Sequence, residues 1–397
     1  MVSMEKAPYD ASGGCMTENP GKFTIAAAEC RHVKLEFRMN VSHSLASRNF
    51  TENILVEIRS RSGISGFGES IPRKYVTGET IDSVFDSSGA LLSILKDKQF
   101  SSPDEIIDCI HDMSASESGL RNPAALCAVE LALLDLAGKV WDMPVSDIIG
   151  LEKTGDPLKY SLIVPFMDDT TFDYFFMQAK DFGFDNIKIK VGPQNPSGLV
   201  ARVRNILGDD VELRVDANCS WDRSNAEGFM KELAGLGVVS VEQPLPADDL
   251  EGSANLRSKD LMLVTLDESV FSESSVHKIA ELGACDMINV RISKCGGLLG
   301  SMNLIKIAHE NGIKIQLGAH VGESCILSAA GTHLAAGNRS FRWLEGCFGK
   351  HLLKKGLCAD QIQFTRGGLL NPPEGPGLGI TIDRDLLKDA EISTRKI

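Results

Sequence analysis

The segment NIKIKVG, residues 186–192, places Lys188 and Lys190 one residue apart in an otherwise apolar, β-branched run. Alternate side chains of a strand leave the same face, so both ammonium groups point the same way. Downstream the pattern returns. Short apolar strands end in a polar or charged residue at Lys190, Asp216, Glu242, Asp267, Lys294, His320 and Glu345, at intervals of 26, 26, 25, 27, 26 and 25 residues. Amphipathic helices fill the gaps. DRSNAEGFMKELAGLG (222–237) sets Ala226, Phe229, Met230, Leu233 and Leu236 on one face and offers Gly237 as a C-cap. Strands alternating with helices predict a parallel sheet. With LKYSLIVPF (158–166) as a first strand, the period counts out eight units, a (β/α)8-type TIM barrel in an α/β protein.

The chain is organised differently before residue 155. TIAAAECRHVKLEF (24–37) and NILVEIRSRSGISGFGE (53–69) read as strands, and PAALCAVELALLDLAGKVWDM (123–143) reads as a helix with Pro123 in its first turn. These elements predict an N-terminal α+β domain over residues 22–155, preceded by a flexible tail over 1–21 and followed by the barrel over 156–370. With 397 residues, 43% hydrophobic and 24% charged, the chain has material for both domains. Its net charge of −13, without a basic cluster, argues against nucleic acid as a partner. No apolar run reaches membrane-spanning length, so no membrane partner is expected. The ten cysteines lack metal-ligand spacing, and they predict buried, reduced thiols and a cytoplasmic location.

The C-terminal ends of barrel strands carry the active site, so the periodic residues form a ring. Asp216, Glu242 and Asp267 lie on three consecutive strands and would repel one another unless a cation sat between them. Three hard oxygen donors suit Mg²⁺, with Mn²⁺ as a substitute. Each acid taken alone could equally cap the helix that follows its strand. Lys188 and Lys190 on strand two stand opposite Lys294 on strand six, so a substrate above the metal would meet an amine on each face. Neighbouring positive charge is expected to lower the pKa of Lys190 and make it a base near neutral pH. A salt-bridging role is the alternative for any one lysine.

The series KIKVG, VDAN, VEQPL, LDES and ISKCGG resembles the enolase superfamily, specifically its muconate lactonizing enzyme subgroup, over about residues 22–384. GFGESIPRKYVTGET (66–80) and PPEGPGLGI (372–380) resemble that family's capping domain and its C-terminal return, which implies that residues 371–397 rejoin the N-terminal domain. The resemblance implies that Asp216, Glu242 and Asp267 hold the metal, that Lys190 and Lys294 are the acid/base pair, and that Lys188 modulates Lys190. It also implies supporting roles for Asn218 and Glu268. The shared first step would be removal of a proton α to a substrate carboxylate, with Mg²⁺ stabilising the enediolate.

Opposed lysines point to a racemase or epimerase acting on a dipeptide or an N-acylated amino acid. The same residues in this subgroup also serve muconate-type cycloisomerisation and o-succinylbenzoate synthase-like dehydration. Dipeptide epimerases of the family carry Asp-x-Asp on strand eight for the substrate ammonium. Here FRWLEGCFG (341–349) offers Trp343 and Glu345. His320 and Glu323 on strand seven, and Arg48, Arg73 and Tyr75 in the loops over 38–53 and 68–80, are further candidates for substrate contact. The partner is a small-molecule carboxylate, and a homo-oligomer is expected. An alternative of another class is a metal-independent Schiff-base aldolase.

Overall fold

Among the described residues eight parallel strands pair in chain order: Leu162–Val164, Asn186–Lys190, Glu212–Asp216, Val238–Glu242, Leu263–Leu266, Met287–Val290, Lys314–Leu317 and Phe341–Leu344. A bridge between Tyr160 and Leu344, with the Ser161 amide donating to the Leu344 carbonyl at 2.8 Å, brings the last strand round to the first. The chain is a TIM barrel with an N-terminal antiparallel sheet domain. This computed structural model describes residues 21–43, 46–166, 169–359 and 362–397. The tail expected over 1–21 lies outside them except for Gly21.

In the N-terminal domain, strands Phe23–His43, Ala46–Ser60 and Ser65–Ser70 pair antiparallel, and the chain's final strand, Glu391–Lys396, pairs with the free side of the first. The helix Pro123–Trp141 lies between this sheet and the barrel. Residues Ala124 to Gly138 are buried without interruption, because apolar surface faces it from two sides. The helix approaches strand Ser65–Ser70 so closely that a Cβ at Gly68 would meet the Ala128 carbonyl oxygen, and one at Gly66 the Ala132 oxygen. Only glycine admits that approach.

Buried acids tie the two domains together at the starts of barrel helices. The Glu69 carboxylate accepts from the Ser324 amide and hydroxyl and the Leu327 amide, at the start of helix Cys325–Gly337. The Glu130 carboxylate accepts from the amides of Leu298 (2.6 Å) and Leu299 (3.1 Å), which open helix Leu298–Glu310. Amides without intrahelical partners and the helix dipole both favour an acidic group there.

Burial nevertheless pushes the Glu130 carboxyl up from 4.5 to about 8, since its other oxygen is buried and finds no partner among the described residues. The neutral acid is the form that the fold prefers. The stability this contributes is present below pH 4.5 and is lost as pH rises towards 8. Between those limits thermal denaturation should show the wild-type midpoint falling relative to Glu130→Gln, by about a few degrees. Parallel curves for the two proteins would refute the assignment.

Candidate active site

The barrel register brings the acids to one level. Lys190 lies opposite Asp216, Asp216 opposite Glu242, and Thr265, two residues before Asp267, opposite Glu242. Asp216, Glu242 and Asp267 are all buried. Lys190 donates to Asp216 Oδ2 (2.8 Å) and Asn218 Oδ1 (2.7 Å). Lys188 donates to Glu242 Oε2 (2.9 Å) and Glu345 Oε2 (2.7 Å) and lies 3.9 Å from Asp216. Asn218 takes a left-handed conformation, φ 43°, which turns its side chain back to Lys190 and lets its Nδ2 donate to Glu268 at 3.1 Å.

Lys294 is not on strand six but in the turn four residues beyond it. Its ammonium donates to the Asp267 carboxylate (2.7 Å), the Asp267 carbonyl (2.6 Å) and the Asn289 carbonyl (3.2 Å). It is fully buried and does not line the cavity of about 390 Å³ that Lys188, Lys190, Asp216, Asn218 and Glu268 share. Nor do three acidic, histidine or cysteine side chains among the described residues already converge on one point. Each acid of the trio faces a cationic side chain instead.

Charge sets the protonation of this cluster. Burial works to raise the Asp216 and Glu242 carboxyls, but the ammonium groups beside them, Lys190 and Lys188 for Asp216 and Lys188 for Glu242, outweigh it and hold both below their usual values. Burial would lower Lys188, yet Glu242, Glu345 and Asp216 hold it above its usual value, so it is a fixed cation. Glu268 meets mainly like charge, which Arg291 offsets only in part. Burial, then Asp267 and Asp216, push it up to about 7, and its Oε2 is buried without a partner among the described residues. An oxygen-only donor set with an excess of crowded acids fits a hard divalent cation.

The candidate substrate residues divide. Glu345, the candidate for a substrate cation, lines the cavity, with one oxygen receiving Lys188 and the other Arg214 at 2.9 Å. Trp343 lies below the mouth, packed against Arg214 with the guanidinium carbon 4.4 Å from the ring centroid, and does not line the cavity. Arg73 does not line it either; its guanidinium donates to Thr51 and to the Val321 carbonyl, both at 2.9 Å, and joins the domains. Arg48 lines a separate cavity of about 530 Å³ and stands 5.4 Å from the centroid of Tyr75, which does line the lysine cavity. His320 and Glu323 line it as well. Burial and then the Arg291 charge keep the His320 ring neutral, and burial pushes Glu323 up to about 8.

The thiol reading also changes. Cys325 and Cys358 form a disulfide across 33 residues, because the segment after strand eight folds back over the start of helix Cys325–Gly337. The other described cysteines are free. The bridge removes the argument that led from reduced thiols to the cytoplasm. No described helix is long and apolar enough to cross a membrane.

Sequence reading missed Arg291, whose guanidinium is paired with Asp267 and lies 3.9 Å from Glu242. It also missed Asn289 and Gln316, which donate to Glu242 at 2.9 and 2.7 Å. A signal was present: Arg291 stands three residues before Lys294, and Arg214 two before Asp216 on the same strand face.

Comparison with known proteins agrees with this architecture. The N-succinyl-L-Arg/Lys racemase of Bacillus cereus is 29% identical over 93% of this chain and 98% of its own length. The crystal structure of N-succinyl Arg/Lys racemase from Bacillus cereus ATCC 14579 aligns with a TM-score of 0.87 at 27% identity, over 94% of this chain and 100% of that one. A dipeptide epimerase from Enterococcus faecalis V583, complexed with Mg and the dipeptide L-Leu-L-Tyr, aligns with a TM-score of 0.82 at 25% identity, over 90% of this chain and 99% of that one. Residues 26–150 match the mandelate racemase/muconate lactonizing enzyme N-terminal domain, and residues 176–386, more than half of the chain, match the enolase C-terminal domain-like family. The chain belongs to the mandelate racemase/muconate lactonizing enzyme family of the enolase superfamily.

Proposed function

We propose that the protein is a racemase or epimerase that removes and returns the proton α to the carboxylate of an N-acylated amino acid or dipeptide. What supports this reading is the placement of Lys188 and Lys190 on strand two and of Lys294 just beyond strand six, half-way round the ring, with the buried acids Asp216, Glu242 and Asp267 at the ends of the strands between. The racemase and epimerase activities of the relatives support the same class.

Asp216, Glu242 and Asp267 would hold Mg²⁺, which would offset the negative charge that develops on the substrate carboxylate as the α-proton leaves. Lys190, lining the cavity, moves the proton on one face. Lys294 moves it on the other, and this requires its ammonium to leave Asp267. Lys188, kept charged by its carboxylates, adds fixed positive charge near the incoming carboxylate and is a poor Schiff-base nucleophile, since that chemistry needs a free amine.

The test is incubation in D₂O with Mg²⁺ and a panel of N-acyl amino acids and dipeptides, scored for α-deuterium by mass spectrometry. Exchange into both stereoisomers is the expected result. Exchange that survives EDTA, or none with any member, would remove the reading.

A further inference from the structure

Each neighbouring pair of barrel strands forms a registered ladder except the last and the first, which among the described residues join through the Tyr160–Leu344 bridge and the Ser161 hydrogen bond. The cavity containing Lys188 and Lys190 follows this seam. Its lining continues over Ile163 and Pro165, at the end of strand one, to Phe182, Phe184, Phe348 and Phe364.

These four rings come from the helix and connector after strand one and from the segment after strand eight, and they pack on one another. Phe182 and Phe184 stack with centroids 5.0 Å apart, and Phe364 meets Phe184 edge-on at 5.6 Å and Phe348 at 5.0 Å. His351 stacks on the far ring, Phe364, at 5.3 Å. Opposite, the N-terminal domain contributes Met39 and Tyr75, both exposed although large and apolar. A cavity lined by apolar side chains, two of the four rings only half-buried and Met39 and Tyr75 exposed, marks a place where apolar ligand surface is taken out of water.

The charges beside this wall are informative. Burial first, and then the cations of Lys350 and Arg38, lower the His351 pKa, so the ring is neutral and its charged neighbours are positive. Asp216, Glu268 and Glu345 are held among the lysines, Asn218 and Arg214. Glu323 faces the cavity as a carboxyl that burial keeps largely protonated. A cationic side chain laid on this wall would lose water and gain no counter-charge.

We propose that the aromatic wall at the seam seats a bulky, uncharged apolar group of the substrate, either the side chain of the reacting residue or its acyl group. A substrate with a cationic side chain, such as the Bacillus cereus racemase is named for, is discriminated against. The inference rests on the racemase or epimerase reading of the lysine chamber.

Four probes test it on the full chain with Mg²⁺: N-acetyl-L-phenylalanine, N-phenylacetyl-L-alanine, N-acetyl-L-lysine and N-acetyl-L-glutamate. Calorimetric binding and α-deuterium exchange are measured in parallel. At least one aromatic probe should bind tenfold or more tightly than the lysine and glutamate probes, and which one does so tells whether side chain or acyl group occupies the wall. Phe348→Glu should erase that preference and improve binding of the lysine probe, and Phe364→Ala should weaken the favoured aromatic probe with the thermal midpoint recorded for both variants. Equal or tighter binding of a charged probe, or binding of none, overturns the proposal. Preferential aromatic binding without exchange would leave the wall standing and remove the reaction reading instead.

Discussion

Replacing Lys190 by alanine is expected to lower interconversion of the two stereoisomers by roughly 10²–10⁴-fold while sparing deuterium exchange into one of them. The isomer whose α-hydrogen faces Lys294 keeps its base, and the isomer facing Lys190 loses it. Lys294→Ala should show the converse pattern. A single-base enzyme cannot produce this asymmetry, because one group would serve both isomers. The measurement needs both isomers of one substrate at saturating Mg²⁺, so that weak binding is not mistaken for slow chemistry. Equal exchange of both isomers by both variants would end the two-lysine mechanism. Exchange of a single isomer by wild-type protein, with ring closure or loss of water, would move the assignment to the cycloisomerase or dehydratase chemistry of the same subgroup.

Glu242→Gln should abolish turnover and weaken Mg²⁺ binding by at least tenfold in calorimetry, with an unchanged far-ultraviolet spectrum. The amide keeps the size of the side chain, and with its carbonyl oxygen in place of Oε2 it still accepts from Gln316 and Lys188, while its NH2 replaces the Oε1 that accepts from Asn289. The substitution removes one negative charge from a buried cluster in which Lys188 would still face Glu345. Stability should therefore change less than metal affinity. Undiminished Mg²⁺ binding would take Glu242 out of the metal site, whatever happened to turnover.

The barrel was legible because a period near 26 residues ends each strand in a charged or polar residue, and strand spacing in a closed ring is regular. The acids and the lysines of strand two were legible because they sit at or next to those ends, while Lys294 lies four residues beyond its strand. What lies one layer deeper was not. Arg214, Gln316 and Trp343 point inward two residues or so before the strand ends, where a single sequence cannot distinguish a filled interior from an ordinary polar strand. Their partners come from strands three, seven and eight, and only closure of the ring brings these together. The rotation of Lys294 onto Asp267 was hidden for a related reason: it depends on a turn beyond the strand, and periodicity says nothing about where a turn aims its side chains. The Cys325–Cys358 bridge depends on the path of the segment after strand eight, and no local spacing marks that.

The first and last strands of the chain lie side by side: Cys30 is registered with Arg395, and Glu29 with Lys396. On the ribosome the strand from Phe23 to His43 emerges before the barrel, and its partner Glu391–Lys396 emerges only after it. Throughout synthesis of the barrel, one long strand therefore has an unpaired edge of amides and carbonyls, the kind of edge that recruits other chains. Completion of the sheet thus waits until the barrel has been made. A chain truncated by its last seven residues would carry every candidate catalytic residue and still leave that edge open.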